Sequence, residues 1–265
     1  MKITLAQINP VVGDIDGNLA LIRDAVATAA ADGTDLVVFP EMCLTGYPPK
    51  DLVERGAFVA QAKSALAAVE KLSEDVDGTG IIVGLPVARS GGGKGVVNAA
   101  ALVAGGTTVH IQVKSLLPTY DVFDEARYFD TADAIEPCDF KGEKIGISIC
   151  EDAWNDPELF SHRPYEIDPV AILAEKGATV MVNISASPFT VGKEEFRLEL
   201  VRHHAERYRV PFVMVNQVGG NDELVFDGRS YCVDAGGKLR AALPMFGEKI
   251  VTVDTEAPGP AASSR

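Results

Sequence analysis

The amino-acid sequence predicts an α/β fold, and three observations support this prediction. Short apolar runs typical of buried strands alternate along most of the chain with longer segments of helical periodicity. The 265 residues are 47% hydrophobic and 23% charged, which is the balance of a globular protein with a core of useful size. Gly105-Gly106 separates two strand-like runs, as in a β-hairpin. We therefore expect hairpins within an otherwise alternating arrangement of strands and helices.

The first half of the chain is predicted to contain two helices and five strands. The helices are expected at residues 19–31 and 56–72, and Asn18 is the expected N-cap of the first. The run 35–39 is short and apolar enough for a buried strand. The other strands of this half are predicted at residues 3–8, 81–85, 98–103 and 107–113.

The second half continues the alternation and ends in a β-rich segment. Helices are predicted at residues 169–176 and 194–208. Strands are predicted at residues 144–149, 179–184, 212–215, 224–233, 238–243 and 249–253. Because no internal repeat is found, residues 1–256 are predicted to form one domain. Residues 257–265, rich in Ala, Pro and Ser, have the composition of a linker.

The charge balance excludes two classes of partner. The formal net charge is −14, from 24 Lys and Arg residues against 38 Asp and Glu residues. Such a surface repels nucleic-acid backbones and anionic membranes, and no basic run offsets the repulsion. No apolar run approaches the roughly 18 residues that a membrane helix needs. We therefore expect neither nucleic acid nor a membrane as a partner.

The weak likeness to a signal peptide and the cysteine usage both favour a cytoplasmic location. The first residues faintly resemble a signal peptide, but polar residues and a proline end the apolar segment at once. The four cysteines include no CxxC pair and are too few for a disulfide framework in a chain of this length. The sequence predicts a cytoplasmic protein with reduced thiols.

Three reactive side chains lie at or just beyond the ends of predicted strands: Glu41, Lys114 and Cys150. Taken singly, they are typical of a solvated cap, a surface charge and a small buried hydrophobic residue. Functional sites in α/β sheets gather at the carboxyl ends of strands, however, so the three are expected to meet. A carboxylate, an ammonium group and a thiol together are the components of acyl-transfer chemistry.

The chemistry of a thiol nucleophile suggests a role for each residue. A cysteine attacks a carbonyl well only when a base removes its proton. His203 and His204 are adjacent on a predicted helix and point about 100° apart, which leaves Glu41 as the better base. Lys114 and a backbone N–H just after Cys150 would stabilise the oxyanion of a tetrahedral intermediate.

Three stretches around these residues resemble the catalytic signatures of the nitrilase (carbon–nitrogen hydrolase) superfamily. The stretches are Phe39-Pro-Glu-Met-Cys-Leu-Thr-Gly-Tyr47, Lys114-Ser-Leu-Leu-Pro-Thr-Tyr120 and Ile149-Cys-Glu-Asp-Ala-Trp154. The resemblance implies a four-layer αββα sandwich with a Glu–Lys–Cys triad. It further implies that Glu41 is the base, Lys114 the oxyanion stabiliser and Cys150 the nucleophile. Glu125 matches a second glutamate that helps to hold the lysine and the substrate in that superfamily.

Three further stretches, at residues 46–52, 114–129 and 216–230, are similar to the glutaminase domains of glutamine-dependent NAD+ synthetases. This resemblance implies hydrolysis of the glutamine amide through a γ-glutamyl thioester. The ammonia would convert nicotinate adenine dinucleotide (deamido-NAD) to NAD+ in a synthetase domain. The substrate contacts implied are Tyr120, Ser187, Lys193 and, through its N–H beside the nucleophile, Glu151.

The sequence departs from such synthetases in one respect. It has no Ser-Gly-Gly-x-Asp-Ser pyrophosphate loop, and Gly91-Gly-Gly-Lys-Gly95 lacks the spacing and hydroxyl of a P-loop. ATP and Mg²⁺ are therefore expected to belong to a synthetase domain that this sequence does not contain, supplied in cis or in trans. The glutaminase chemistry is expected to need no cofactor or metal. By resemblance, the chain is also expected to form a homo-oligomer.

Two alternatives and one electrostatic question stay open at this point. The chain could be a free-standing amidase of the same superfamily that acts on another small amide. It could also be a silent module that docks to a synthetase, although the intact triad argues against this. Glu151 and Asp152 would raise the pKa of the Cys150 thiol, whereas Lys114 and a helix N-terminus would lower it.

Overall fold

Two six-stranded β-sheets lie face to face at the centre of the structure, a computed structural model that describes residues 1–76, 78–160 and 165–256. The linker-like segment predicted at 257–265 lies outside the described residues. The strands are, in chain order, β1 (Lys2–Gln7), β2 (Leu36–Val38), β3 (Gly80–Ala88), β4 (Val96–Ala104), β5 (Thr107–Val113), β6 (Cys138–Phe140), β7 (Glu143–Ile149), β8 (Val180–Ser185), β9 (Phe212–Asn216), β10 (Val218–Asn221), β11 (Leu224–Asp227), β12 (Tyr231–Val233), β13 (Leu239–Ala242) and β14 (Lys249–Asp254). The helices are α1 (Ile15–Ala31), α2 (Gly56–Glu74), α3 (Glu125–Tyr128), α4 (Pro169–Glu175) and α5 (Lys193–Tyr208).

Each sheet has a parallel centre and antiparallel edges. The spatial order in the first sheet is β14-β1-β2-β3-β4-β5, and in the second it is β13-β12-β9-β8-β7-β6. Strands β1, β2 and β3 are mutually parallel, as are β7, β8 and β9. The antiparallel steps from β3 to β4 and from β4 to β5 return β5 to the direction of β2. The carboxyl ends of β2 and β5 therefore lie at the same end of the first sheet.

Three apolar layers hold the elements together. The central layer combines residues of both sheets, among them Leu36 and Ile82 of the first and Ile147 and Val182 of the second. A second layer fills the space between the first sheet and helices α1 and α2, and a third lies between the second sheet and helices α4 and α5. Burial of these apolar faces is the main favourable term in folding. The arrangement confirms the predicted four-layer αββα sandwich.

The start of α1 differs from the prediction. Asp14, rather than Asn18, caps the helix by accepting a hydrogen bond of 3.0 Å from the Gly17 N–H. Asn18 is buried one turn further on, where its side chain hydrogen-bonds the backbone of Val11 and Leu44. Both residues are good N-cap types, so local pattern alone does not separate them.

The strand predicted at residues 224–233 is wrong as a single element. The chain forms β11, which pairs with β10 in a separate two-stranded sheet, and then β12, which belongs to the second sheet. Gly228 and Arg229 separate them with φ angles of +68° and +57°, a left-handed conformation that ends an extended strand. A Cβ on Gly228 would lie 2.4 Å from the Gln7 side chain, so this turn requires glycine.

No helix in the described parts of the chain is both long and apolar enough to span a bilayer.

Candidate active site

Glu41, Lys114 and Cys150 meet where strand ends from the two sheets approach each other. Lys114 directly follows β5, and Glu41 lies in the loop after β2, at the same end of the first sheet. Cys150 directly follows β7 of the second sheet. The base candidate and the lysine therefore come from one sheet and the nucleophile candidate from the other. All three are buried, and Cys150 is 7% exposed.

Lys114 lies between two carboxylates. Its Nζ donates to Oε1 of Glu41 at 2.8 Å and to Oε1 of Glu125 at 2.7 Å. Burial disfavours its charged form, but Glu125 and Glu41 outweigh this and hold the pKa of Lys114 well above its usual range. Burial raises the pKa of Glu125 against the pull of Lys114. The lysine is therefore a fixed positive charge at neutral pH.

Three further groups complete the surroundings of the carboxylates, and the sequence analysis did not identify them. Glu41 accepts hydrogen bonds from Asn98 Nδ2 at 2.7 Å and from the Ala186 N–H at 3.0 Å. The Tyr47 hydroxyl donates to Oε1 of Glu125 at 2.7 Å. Asn98 could have been noticed as the one polar residue in the run 96–103. No sequence signal links Ala186 to the site, because it contributes only a backbone group.

The nucleophile candidate lies in a strained turn. Cys150 has a φ of +44°, which costs a residue with a Cβ on the order of 1–2 kcal/mol. Asp152, two residues further on, accepts from the N–H groups of Ile149 at 2.9 Å, Ser115 at 3.0 Å and Leu116 at 2.8 Å. Its carboxylate thus ties the turn at Cys150 to the segment that follows Lys114. Burial raises the pKa of Asp152 to about 7, against these N–H donors.

The structure gives the direction of the thiol's pKa shift, which the sequence left open. Burial raises the pKa of Cys150 far above its ordinary value, Glu41 raises it further, and Lys114 opposes both. Glu151 also raises it, as expected. Asp152 instead directs its carboxylate at backbone N–H groups, and the helix expected beyond Cys150 is a four-residue 3-10 turn, Cys150–Ala153. The nucleophile candidate is therefore a thiol at rest, and an attack by its sulfur would require a base.

Two of the predicted substrate residues contact each other. The Tyr120 hydroxyl donates to the Glu151 carboxylate, 2.7 Å from Oε1 and 2.9 Å from Oε2. The hydroxyl of Tyr165, which the sequence analysis did not single out, donates to Oε1 of Glu151 at 3.2 Å. Tyr120 is 48% exposed and Glu151 only 6%. This pair therefore offers negative charge beside the thiol, with the Tyr120 ring on the solvent side.

The other two predicted substrate residues, Lys193 and Ser187, are held by different contacts. The Lys193 Nζ lies 5.3 Å from the centre of the Trp154 ring, a cation–π distance. Burial lowers the pKa of Lys193, and the nearby Cys150 and Glu151 oppose this. Ser187 is buried next to Ala186, and its N–H donates to Asn216 Oδ1 at 2.8 Å.

The two adjacent histidines take no part in the contacts around the triad. His204 is buried, and its Nε2 lies 2.8 Å from the Ala153 carbonyl. Burial lowers the pKa of His204 to about 4, so its ring is neutral at pH 7. His203 Nε2 lies 3.2 Å from Asp156. Among the described residues, no group of three or more His, Cys, Asp and Glu side chains is arranged to hold a metal ion.

Comparisons with known proteins identify the family of this chain. The carbon–nitrogen hydrolase family model matches residues 2–258. A glutamine-dependent NAD(+) synthetase from Synechocystis sp. is 42% identical over 253 residues, covering 94% of this chain and 45% of the relative. The chain thus spans less than half the length of the curated relatives it matches.

Solved structures share the fold. A glutamine-dependent NAD+ synthetase from Acinetobacter baumannii, in complex with ADP, superposes with a TM-score of 0.83 at 28% identity, covering 98% of this chain and 48% of its own. A variant of the Nesterenkonia AN1 amidase from the nitrilase superfamily gives a TM-score of 0.81 at 24% identity, covering 96% of this chain and 90% of its own. The second likeness shows the fold alone.

Proposed function

The chain belongs to the carbon–nitrogen hydrolase family, and from this membership and its site we propose that it hydrolyses the side-chain amide of L-glutamine. The observation that carries the proposal is the buried Lys114 ammonium, held by Glu41 and Glu125 at 2.8 Å and 2.7 Å close to the Cys150 thiol. A base, a fixed cation and a nucleophile in one buried cluster are the groups that acyl transfer from an amide requires.

The first step forms a thioester. The Cys150 sulfur attacks the amide carbon while Glu41 takes the thiol proton, because burial keeps the thiol protonated until then. The negative charge that develops on the amide oxygen is stabilised by the Lys114 ammonium and by the Glu151 N–H. Glu41 then passes its proton to the departing nitrogen, the C–N bond breaks, and ammonia leaves behind a γ-glutamyl thioester on Cys150.

The second step regenerates the enzyme with the same groups. Glu41 removes a proton from a water molecule, whose oxygen attacks the thioester carbon. Lys114 again stabilises the oxyanion. The C–S bond breaks, glutamate leaves and Cys150 recovers its proton from Glu41. Besides the substrate and this water molecule, the proposed steps use only side-chain and backbone groups of this chain.

Charge complementarity supports glutamine as the substrate. A free α-amino acid carries an ammonium and a carboxylate at one end. Glu151, held by the Tyr120 hydroxyl, offers a carboxylate that would bind the substrate ammonium. Lys193, which is close enough for the Glu151 carboxylate to raise its pKa, offers an ammonium that would bind the substrate carboxylate. By resemblance, Ser187 is a further substrate contact. Simple aliphatic amides lack both charges and would bind less tightly.

The ammonia is proposed to serve a synthetase domain outside this sequence. Relatives that extend beyond the matched region are named glutamine-dependent NAD(+) synthetases. We propose that such a domain, in cis or in trans, uses ATP and Mg²⁺ to amidate deamido-NAD with this ammonia.

The proposal is tested by measuring ammonia release from L-glutamine, L-asparagine, short aliphatic amides and a nitrile, with Cys150→Ala as the control. Glutamine turnover that is selective and lost in Cys150→Ala supports the proposal. A preference for another amide would instead identify a free-standing amidase of the same family. If nothing is turned over, addition of a separately produced synthetase domain distinguishes a latent glutaminase, which gains activity, from a silent module, which does not.

A further inference from the structure

Among the described residues, Asn98 is the one neutral side chain that hydrogen-bonds both Glu41 and Glu125. It lies in β4, fully buried, and its Nδ2 is 2.7 Å from Oε1 of Glu41 and 3.5 Å from Oε2 of Glu125. Its backbone carbonyl accepts the Lys114 N–H at 2.8 Å. A single residue thus contacts the base candidate, the second glutamate and the backbone that carries the lysine.

The orientation of the Asn98 amide is dictated by its neighbours. If the amide were reversed, its carbonyl oxygen would face the Glu41 carboxylate, acceptor against acceptor. In the observed orientation, Oδ1 is buried and has no hydrogen-bond partner among the described residues. An unpaired buried acceptor lowers stability relative to an apolar side chain, so a pure packing role does not account for an amide here.

The charges around Glu41 explain why a neutral donor suits this position. The titratable groups that face Glu41 are Lys114, Glu125, Tyr47 and Cys150. A second cation would bind the Glu41 carboxylate strongly and weaken it as a base. An amide N–H instead fixes the position of the carboxylate without adding charge.

We propose that Asn98 is a positioning residue that holds Glu41 in the orientation needed to take the Cys150 proton. The same amide holds Glu125 in contact with the Lys114 ammonium. The inference deepens the proposed function and rests on it for the role of Glu41 as base. It does not depend on which amide is the substrate.

The test uses Asn98→Ala and Asn98→Asp. Asn98→Ala is expected to lower kcat about 10–100-fold, the usual effect of losing a hydrogen bond to a charged group, with KM within about threefold. The acidic limb of the pH–rate profile moves to higher pH, because a carboxylate that loses a donor is protonated more readily. In Asn98→Asp, the introduced carboxyl donates only when it is protonated, so activity is expected to peak at lower pH than in Asn98→Ala.

A second readout removes the dependence on substrate. The rate at which iodoacetamide alkylates Cys150, followed by peptide mass, is measured against pH in the same variants, and its acidic limb is expected to move in the same direction. Asn18→Ala is the matched control, because Asn18 is also buried and, within the described part of the chain, its side chain hydrogen-bonds backbone groups of Val11 and Leu44 and no side chain. It is expected to lower the unfolding temperature and leave both limbs in place.

If both Asn98 variants fold and the acidic limbs of their pH–rate and alkylation profiles stay where they are in the unaltered protein, the inference is overturned. If neither variant folds, the two Nδ2 protons of Asn98 are followed by NMR in the unaltered protein. Their resonances are expected to shift as pH falls through the acidic limb, and constant resonances would overturn the inference. If glutamine is not hydrolysed with or without a synthetase domain, but the acidic limb of the alkylation profile moves as expected, the glutamine proposal fails and the role of Asn98 stands.

Discussion

Replacing Lys114 by methionine tests whether the ammonium group is what allows two carboxylates to be buried together. The substitution keeps an unbranched side chain, one atom shorter than that of lysine, and removes the charge. In the native site the Nζ lies 2.8 Å and 2.7 Å from the oxygens of Glu41 and Glu125, and all three side chains are at most 5% exposed. At an effective dielectric constant of about 20, each contact has a gross attraction of about 6 kcal/mol.

Desolvation of the charges offsets much of that attraction, so the net effect is smaller. Removing one partner of a buried ion pair costs about 3–5 kcal/mol, which for a domain of this size lowers the unfolding temperature by about 6–20 °C. The loss is expected to grow with pH. Burial raises the pKa of Glu125 even beside Lys114, and without the lysine it rises further. The native state of Lys114→Met then binds more protons than the unfolded state above about pH 4.5, so its stability falls as pH rises.

The assay is urea unfolding followed by circular dichroism at pH 5 and pH 8, together with ammonia release from L-glutamine. Hydrolysis by Lys114→Met is expected to fall at least about 10²–10³-fold, the usual effect of losing an oxyanion donor. Lys50→Met is the matched control, because Lys50 pairs with Asp222 at 2.9 Å on the surface with 42% of its side chain exposed. That change is expected to cost about 0–1 kcal/mol. If Lys114→Met lay within about 1 kcal/mol of the native protein at pH 8, the electrostatic account of the site would be refuted.

Three other predictions concern residues around the triad and beneath it. Tyr120→Phe removes the hydroxyl that donates to Glu151 and is expected to raise KM for L-glutamine about 3–10-fold; a fall confined to kcat in steady-state assays would contradict the substrate-binding role. Arg197→Met leaves the fully buried Asp227 carboxylate without its ion-pair partner and is expected to lower the free energy of unfolding in urea by about 3–5 kcal/mol. Adding Asp227→Leu should restore at least about half of that loss. Equal losses in the single and double variants would argue against the ion pair as the cause. Burial lowers the pKa of His204 to about 4, so the unfolded state binds an extra proton below about pH 6.5. The free energy of unfolding is therefore expected to fall by on the order of 3 kcal/mol as pH drops from about 6.5 to 4. In urea unfolding at several pH values, His204→Gln should reduce this pH dependence, and an unchanged dependence would assign it to other groups.

The positions of the triad were predictable because they follow from strand order. A residue just after a buried strand lies at the carboxyl end of that strand, and this position can be located in the sequence once the strand has been predicted. Glu41, Lys114 and Cys150 were expected to meet for this reason, and the structure brings them together. Their chemical roles and the single-domain boundary at residue 256 stay predictions.

Other features depend on contacts that no local pattern specifies. Asn98 lies inside an apolar strand and is distinguished only by the charges it reaches, from residues far away in the chain. The break after β11 depends on a turn at Gly228 that fits against Gln7, more than 200 residues away. The ionisation of Cys150 depends on the sum of burial and four charges, whose balance only three-dimensional distances decide.

The division of the site between the two sheets gives the central apolar layer a second role. Because Cys150 follows a strand of one sheet while Glu41 and Lys114 follow strands of the other, the thickness of that layer sets the gap between the proposed nucleophile and the proposed base. Buried side chains of that layer, such as Leu36 and Ile147, set this spacing. Trimming or enlarging them would change the rate of proton transfer as well as the melting temperature, and hydrostatic pressure, which acts on internal volume, would tune turnover through the same layer.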